Sequence, residues 1–280
     1  MSPLSADDMI RPHWPAPAGV GAFMSTRQGG VSTGPWRSLN LGRAVGDAPE
    51  AVAENRRRFA AALSLAKAPQ EAPSAQPVRP VWLRQVHGTA VLELTAATPE
   101  RPEQPADAAW TQTPGVACIV GAADCMPVLL ATRNGRAVAA AHAGWRGLAT
   151  GVLEATVNAL VSATGAQSAE LLAWMGPCIG LAHFEVGADV LLAFGAEPTE
   201  VDRQHFHFSP RPDGAPRWRA DLRGLARERL QRLGVGFIAA DEACTYSDAS
   251  RFFSFRRDGR LGPSGRMAAA IWIEPVRGQG

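Results

Sequence analysis

The chain has 280 residues, 46% of them hydrophobic and 19% charged, with a formal net charge of +2. That balance suits a globular protein with a sizeable core, and so weak a charge gives no basic footprint for nucleic acid or an anionic membrane surface. Residues 1–15 are polar and lack an export-signal pattern. The most apolar stretch, 114–131, is interrupted by Asp124 and Pro127 and falls short of the roughly 20 apolar residues that a membrane span needs.

Taken in chain order, the first distinctive segments are polar and glycine-rich: Ser25-Thr26-Arg27-Gln28-Gly29-Gly30 and Ser38-Leu39-Asn40-Leu41-Gly42. They read either as solvated loops or as a site for a polar ligand. Asp47 followed by Pro49 and Glu50 reads as a capping box opening a helix that runs to about Leu63. Segment 66–80 is rich in Pro and Ala and reads as a surface loop. It does not divide the chain, so a single domain over 1–280 is expected. Apolar runs at 81–83, 90–94, 116–121, 170–175 and 268–273 read as strands. A second helix is expected from near Gly147 through Leu160. A third follows Asp221 as N-cap, with Leu222, Leu225, Ala226, Leu230 and Leu233 on one face and Gly234 at its end. Strands and helices alternate without a regular βαβ beat, which favours an α+β fold.

The four cysteines, Cys118, Cys125, Cys178 and Cys244, are widely spaced and form no CxxC pair. Reduced thiols in the cytoplasm are the expectation, and the ordinary role of each is a small buried hydrophobe. Cys125 departs from that default because of a hairpin. Asn134-Gly135 between two apolar runs predicts a two-residue turn. A turn centred there places Cys125 opposite Gly144 and His142 opposite Pro127. His142 then shares a strand face with Cys125, roughly 7–8 Å away at Cα. Thiolate and imidazole together suit Zn²⁺. His87, just after a strand, is a third candidate that the sequence alone does not place. Three protein ligands would leave one position open, which is the catalytic pattern. A metal-free Cys–His nucleophile pair explains the same local geometry.

Ala143-Gly144-Trp145-Arg146-Gly147 turns a strand into a helix, and its amides with Arg146 could hold an anion. Arg256, Arg257 and Arg266 gather near the C-terminus. Glu185, Asp241 and Glu242 are candidate acids or bases. Six histidines are too few for a four-copper centre, and only His205-Phe206-His207, a weak surface metal site at most, has His-X-His spacing. The zinc deaminase signature, a Walker loop, GxGxxG and GxSxG are all absent.

At this point the sequence resembles the YfiH/YlmD family, whose members are described as laccase-domain proteins, purine nucleoside phosphorylases and peptidoglycan editing factors. The resemblance rests on STRQGGVSTGPWRSLNLGRAVGD at 25–47, WLRQVHG at 82–88, DAAWTQTPGVACIVGAADCMPVLL at 107–130, AHAGWRG at 141–147, MGPCIG with FEVG at 175–187, and FFSFRRDG at 252–259. Trp110, Phe184 and Phe255 depart from the family's usual residues. The resemblance implies a single-domain layered α/β/β/α sandwich with mixed sheets. It also implies a metal held by His87, Cys125 and His142, and so supplies the third ligand.

The implied activity is zinc-dependent phosphorolysis of adenosine, inosine, guanosine and methylthioadenosine, with adenosine deamination at the same site. Cys125 and His142 are then catalytic, with Asp124 as proton shuttle or as carboxylate partner of a histidine. Arg27, Asn40 and Arg146 are candidate ligands for substrate or phosphate. The partners are purine nucleosides and phosphate, and the chain is expected to be a monomer or weak homodimer. The alternatives are a cysteine hydrolase removing L-Ser from UDP-MurNAc-L-Ser and a non-catalytic metal-binding protein. Cu²⁺ could displace zinc in vitro, since affinity follows the Irving–Williams order, and phenol oxidation would then be adventitious.

Overall fold

Strands such as Val116–Ala122, Met126–Thr132, Val138–Ala143 and Met267–Ile273 are almost wholly apolar because both faces of each are buried. In the computed structural model, which describes residues 4–65, 77–260 and 262–275, these strands belong to two sheets that pack face to face. The first has five strands, in the order Met9–Ile10, Val20–Ser25, Met267–Ile273, Val116–Ala122, Arg79–Trp82. The second has six, in the order Phe237–Ala240, Leu171–Met175, Met126–Thr132, Val138–Ala143, Ala108–Thr111, Val91–Glu93. Each sheet mixes parallel and antiparallel pairs.

Side-chain alternation divides the core into layers. Cys118, Val120, Ala269 and Ile271 of the first sheet meet Leu129, Ala131, Val138 and Trp174 of the second between the sheets. Ala117, Ile119, Ala270 and Trp272 face outward onto Phe59, Ala62 and Leu63 of helix Pro49–Leu65. On the opposite side Val128, Leu130, Ala139 and Ala141 pack against helices Val152–Thr164 and Leu222–Arg232. The result is the expected layered α/β/β/α arrangement.

Several local expectations change. Asp47 accepts from Ser32 Oγ, Asn40 Nδ2 and the Ala48 amide, so its carboxylate ties down the preceding loop instead of completing a capping box. The second helix starts at Trp145 and breaks at Gly151, whose φ of 104° is open to glycine and strained for other residues. Most of the Pro/Ala-rich segment lies outside the described residues, and its end, Arg79-Pro80, is already strand. Asp221 caps its helix as expected, accepting from the Gly224 amide at 2.9 Å.

The hairpin keeps the expected register, with Pro127 paired to His142 and Met126 to Ala143. Its loop holds four residues, not two. Thr132 and Ala137 close it, Gly135 carries the positive φ, and Asn134 Oδ1 accepts from the Arg136 amide. Both loop lengths share one centre, so the strand pairing is unchanged.

Candidate metal centre

His142 lies in strand Val138–Ala143, beside strand Ala108–Thr111 with Ala108 paired to Ala141. The next position in register sets Asp107 against His142. The Asp107 carbonyl accepts from the His142 amide at 2.7 Å, and its Oδ1 lies 2.9 Å from His142 Nδ1. The same fully buried carboxylate also accepts from three successive amides, Val86 at 3.0 Å, His87 at 2.9 Å and Gly88 at 2.7 Å. Three amides converging on one anion form a nest. It holds His87 at a φ of 61°, which a residue with a side chain adopts only when its surroundings fix it. Burial pushes the Asp107 carboxyl up, but the bonds from His142 and the Gly88 and Val86 amides outweigh this and hold it below the usual carboxylate range.

Cys125 enters from the loop preceding strand Met126–Thr132, and its Sγ lies 3.7 Å from His87 Nε2. The rings of His87 and His142 meet edge to face with centroids 4.8 Å apart. One donor atom from each of His87, Cys125 and His142 lies within 4.8 Å of the others. Gly144 makes this convergence possible. A Cβ there would sit 2.8 Å from His87 Cδ2 and 2.9 Å from Cys125 Sγ.

Burial pushes the Cys125 thiol up, but His142 and His87 reverse the effect and bring it down to about 6. Burial pushes the His142 imidazole down, whereas the Cys125 thiolate and Asp107 raise it to about 9. Metal-free, the two form an ion pair at neutral pH. The donor set fits a borderline-soft divalent ion such as zinc: a thiolate already formed, and an imidazole whose Nδ1 is engaged by Asp107 so that Nε2 is the free nitrogen. Among the described residues this is the only cluster of three or more His, Cys, Asp or Glu with such convergence.

The three ligands border a cavity of about 1100 Å³, which is also lined by Trp145, Arg146, Phe184, Phe255, Arg256 and Arg266. Of the expected substrate residues, Arg146 borders it, exposed and lying over the Trp145 ring at 4.4 Å. Arg27 is elsewhere: it stacks on Phe253 and donates to the carbonyls of Arg37 and Ala249, joining two loops. Asn40 is fully buried, and its side chain is engaged with Gly42, Asp47 and the Arg266 amide. It positions Arg266 instead of reaching into the cavity.

Asp124, at a φ of 84°, also borders the cavity. Its carboxylate accepts from Thr245 Oγ1, Ser254 Oγ and the Arg256 amide. It therefore anchors the 245–256 segment beside the ligands. The carboxylate partner of a histidine is Asp107, which the sequence expectation missed; the available signal was an Asp heading a strand in Asp107-Ala108-Ala109-Trp110. Glu185 is held by Arg211, and the hydrogen bonds from that guanidinium keep its carboxyl below the usual range against the opposing effect of burial, which does not suit a base. Arg257 binds the carbonyls of Thr245, Tyr246 and Phe252. Asp241 accepts from the Ala243 amide and Glu242 meets Arg223, while His205 and His207 each face a carboxylate, Glu228 and Asp202.

The family described as multi-copper polyphenol oxidoreductase laccase matches residues 21–274. A purine nucleoside phosphorylase of Pseudomonas aeruginosa is 48% identical, covering 95% of this chain and 98% of that protein. The purine nucleoside phosphorylase YfiH of Escherichia coli is 44% identical over the same shares. The chain belongs to the YfiH family. Solved structures agree. YlmD from Geobacillus stearothermophilus superposes with a TM-score of 0.81 at 30% identity, covering 97% of this chain and 98% of that one. A Neisseria meningitidis member gives a TM-score of 0.79 at 41% identity, covering 96% and 100%. The multi-copper description of the YfiH family sits against a chain with six histidines, two of which converge with one cysteine.

Proposed function

We propose that this chain is a zinc-dependent purine nucleoside phosphorylase that also deaminates adenosine at the same site. The observation that carries this reading is the His87–Cys125–His142 cluster at the edge of a cavity large enough for a nucleoside. The names of the Pseudomonas aeruginosa and Escherichia coli relatives support the phosphorylase part. A bound zinc would supply Lewis acidity and lower the pKa of a coordinated water to about 7.

The chain's own residues do the rest. Asp107 orients His142 and fixes the His87 loop. Phe184, Phe255 and Trp145 offer aromatic faces against which a purine can stack. Arg146 and Arg266 place positive charge at the cavity wall, where the negative charge developing on the leaving purine needs it. Asp124 anchors Ser254 and the Arg256 backbone, and so holds the Phe255 side of the wall. In this reading the protein works in the cytoplasm on small molecules, as a monomer or weak dimer.

Incubation of purified protein with adenosine and phosphate, followed by chromatography, tests the proposal. Adenine with ribose-1-phosphate supports phosphorolysis and inosine supports deamination; if neither forms with metal-loaded protein, the proposal is wrong.

A second reading has its own observation. Asp107, His142 and Cys125 stand in the order carboxylate, imidazole, thiol, and the thiol is held down to about 6. That is the arrangement of a cysteine hydrolase, here one removing L-Ser from UDP-MurNAc-L-Ser. Hydrolysis of that compound by metal-stripped protein would favour it over the zinc mechanism.

A further inference from the structure

The cavity that holds the metal ligands also has a wall rich in arginine. Arg56 projects from helix Pro49–Leu65 and sits over the Trp82 ring, with its guanidinium carbon 3.9 Å from the ring centroid. Its Nε donates to the Leu41 carbonyl at 2.9 Å. Backbone acceptor and aromatic face together fix the planar group, which is the pre-organised state a guanidinium needs to bind an oxyanion. Arg43 and Arg101 border the same cavity and are exposed. Among the described residues none of the three arginines makes an ion pair. The neighbouring carboxylates are Glu100 and Glu103, both exposed, and of these Glu100 acts electrostatically on Arg56.

Two donors in this wall are orphaned. Arg56 Nη1 and Trp82 Nε1 are both buried without a hydrogen-bond partner. They belong to the two stacked groups, so both orphans are N–H donors in one place and no acceptor serves them. Buried donors are almost always paired, and an exception calls for a missing acceptor. Burial, with Arg43 and Arg101 close by, pushes the Arg56 guanidinium down to about 9. A cation that its surroundings disfavour is stabilised by an incoming anion.

We propose that Arg56, flanked by Arg43 and Arg101 and backed by Trp82, forms an oxyanion subsite in the metal-site cavity that takes a phosphate group. The subsite connects to the metal ligands through the chain itself. Leu41, which accepts from Arg56, precedes Gly42, where a Cβ would lie 2.7 Å from Arg266 Cγ. Arg266 in turn senses the charges of Cys125 and Asp124. Within the phosphorylase reading, on which only the identity of the anion rests, the occupant is either free inorganic phosphate or the phosphate of a nucleotide.

Calorimetric titration of the full-length, metal-loaded protein tests the subsite without any turnover. Inorganic phosphate is titrated alone, and adenosine 5′-monophosphate is compared with adenosine. Binding of phosphate, or a tighter Kd for the monophosphate than for adenosine, is expected. Arg56→Gln should weaken that binding or erase that preference by about tenfold to a hundredfold, the loss expected for a charge-assisted donor pair. Arg43→Gln and Arg101→Gln, at exposed positions, should each weaken it several-fold, and they keep the test open if Arg56→Gln unfolds. Saturable binding of free phosphate identifies it as a co-substrate, whereas a preference confined to the monophosphate identifies a nucleotide. Absence of both, or binding that none of the three substitutions changes, overturns the subsite. Because the readout is binding, a catalytically silent protein that still binds phosphate at these arginines would sink the phosphorylase reading and leave the subsite standing.

Discussion

Asp107 and His142 are joined twice, carbonyl to amide at 2.7 Å and carboxylate to Nδ1 at 2.9 Å. Because the same carboxylate gathers the amides of residues 86–88, one buried anion sets the positions of both histidines of the metal centre. Carboxylates that orient metal-bound histidines typically change affinity by 10- to 100-fold. Asp107→Asn keeps the size and loses the charge. It is expected to lower zinc affinity by about that factor, read by competition with a chromophoric chelator; unchanged affinity would show that Asp107 supports the fold alone.

Gly144 gives a sharper steric test. Gly144→Ala places a methyl 2.8 Å from the His87 ring and 2.9 Å from Cys125 Sγ. Those groups must separate, so zinc stoichiometry should fall well below one per chain. Overpacking of this kind costs about 1–3 kcal/mol, visible as a lower melting temperature. A variant that retained full zinc content would contradict the placement of His87 and Cys125 against this backbone.

The thiol and imidazole should leave a pH signature in metal-free protein. The His142 pKa is raised from 6.5 to about 9, so its stabilisation is complete below 6.5 and lost as pH rises through 9. The Cys125 pKa is lowered from 9.0 to about 6, so its stabilisation is complete above 9.0 and lost as pH falls through 6. Together they give a maximum between the two limits. The melting-temperature difference between wild type and Cys125→Ser, followed from pH 5 to 10, is therefore expected to peak near neutrality and shrink at both ends. A difference independent of pH would refute the ion pair.

Zinc binding should also release protons in a defined number. Near pH 7.5 Cys125 is already a thiolate and His142 still carries its extra proton. These two ligands together should release about one proton, from His142 and not from the thiol. Calorimetry in buffers of different ionisation enthalpy counts it, and Cys125→Ser, which removes the thiolate that raises His142, should lower that count.

Asp124 is expected to act on stability. Its carboxylate serves Thr245, Ser254 and the Arg256 amide from a nearly buried position. Asp124→Ala leaves those donors without their acceptor, at a cost of about 1–3 kcal/mol for each one that stays dry. Chemical denaturation measures this; wild-type stability would mean that water replaces the carboxylate.

Much of the site could be read from sequence wherever it depended on short-range geometry. The turn around Asn134-Gly135 fixed which strand positions face each other, so Pro127 opposite His142 followed whether the loop held two residues or four. His87 came from the resemblance of its motif to a family, since no local rule links residue 87 to residue 142. Arg27 and Asn40 looked like ligand residues because polar side chains in glycine-rich segments suit both binding and loop bracing. Tertiary contacts decided for bracing: Arg27 is taken by the carbonyls of Arg37 and Ala249, and Asn40 by Gly42, Asp47 and Arg266.

The sequence by itself determined the α+β class, the apolar strand runs, the hairpin register and the meeting of Cys125 with His142, because each follows from spacing within a few tens of residues. Only the tertiary structure decided that Asp107, not Asp124, is the histidine partner, and that Arg56 and Trp82 share a wall with the metal ligands. Those relationships depend on the pairing of strand Ala108–Thr111 with Val138–Ala143 and on a helix packed across a different sheet. Side chains brought together by such long-range packing leave no periodic signal in the chain.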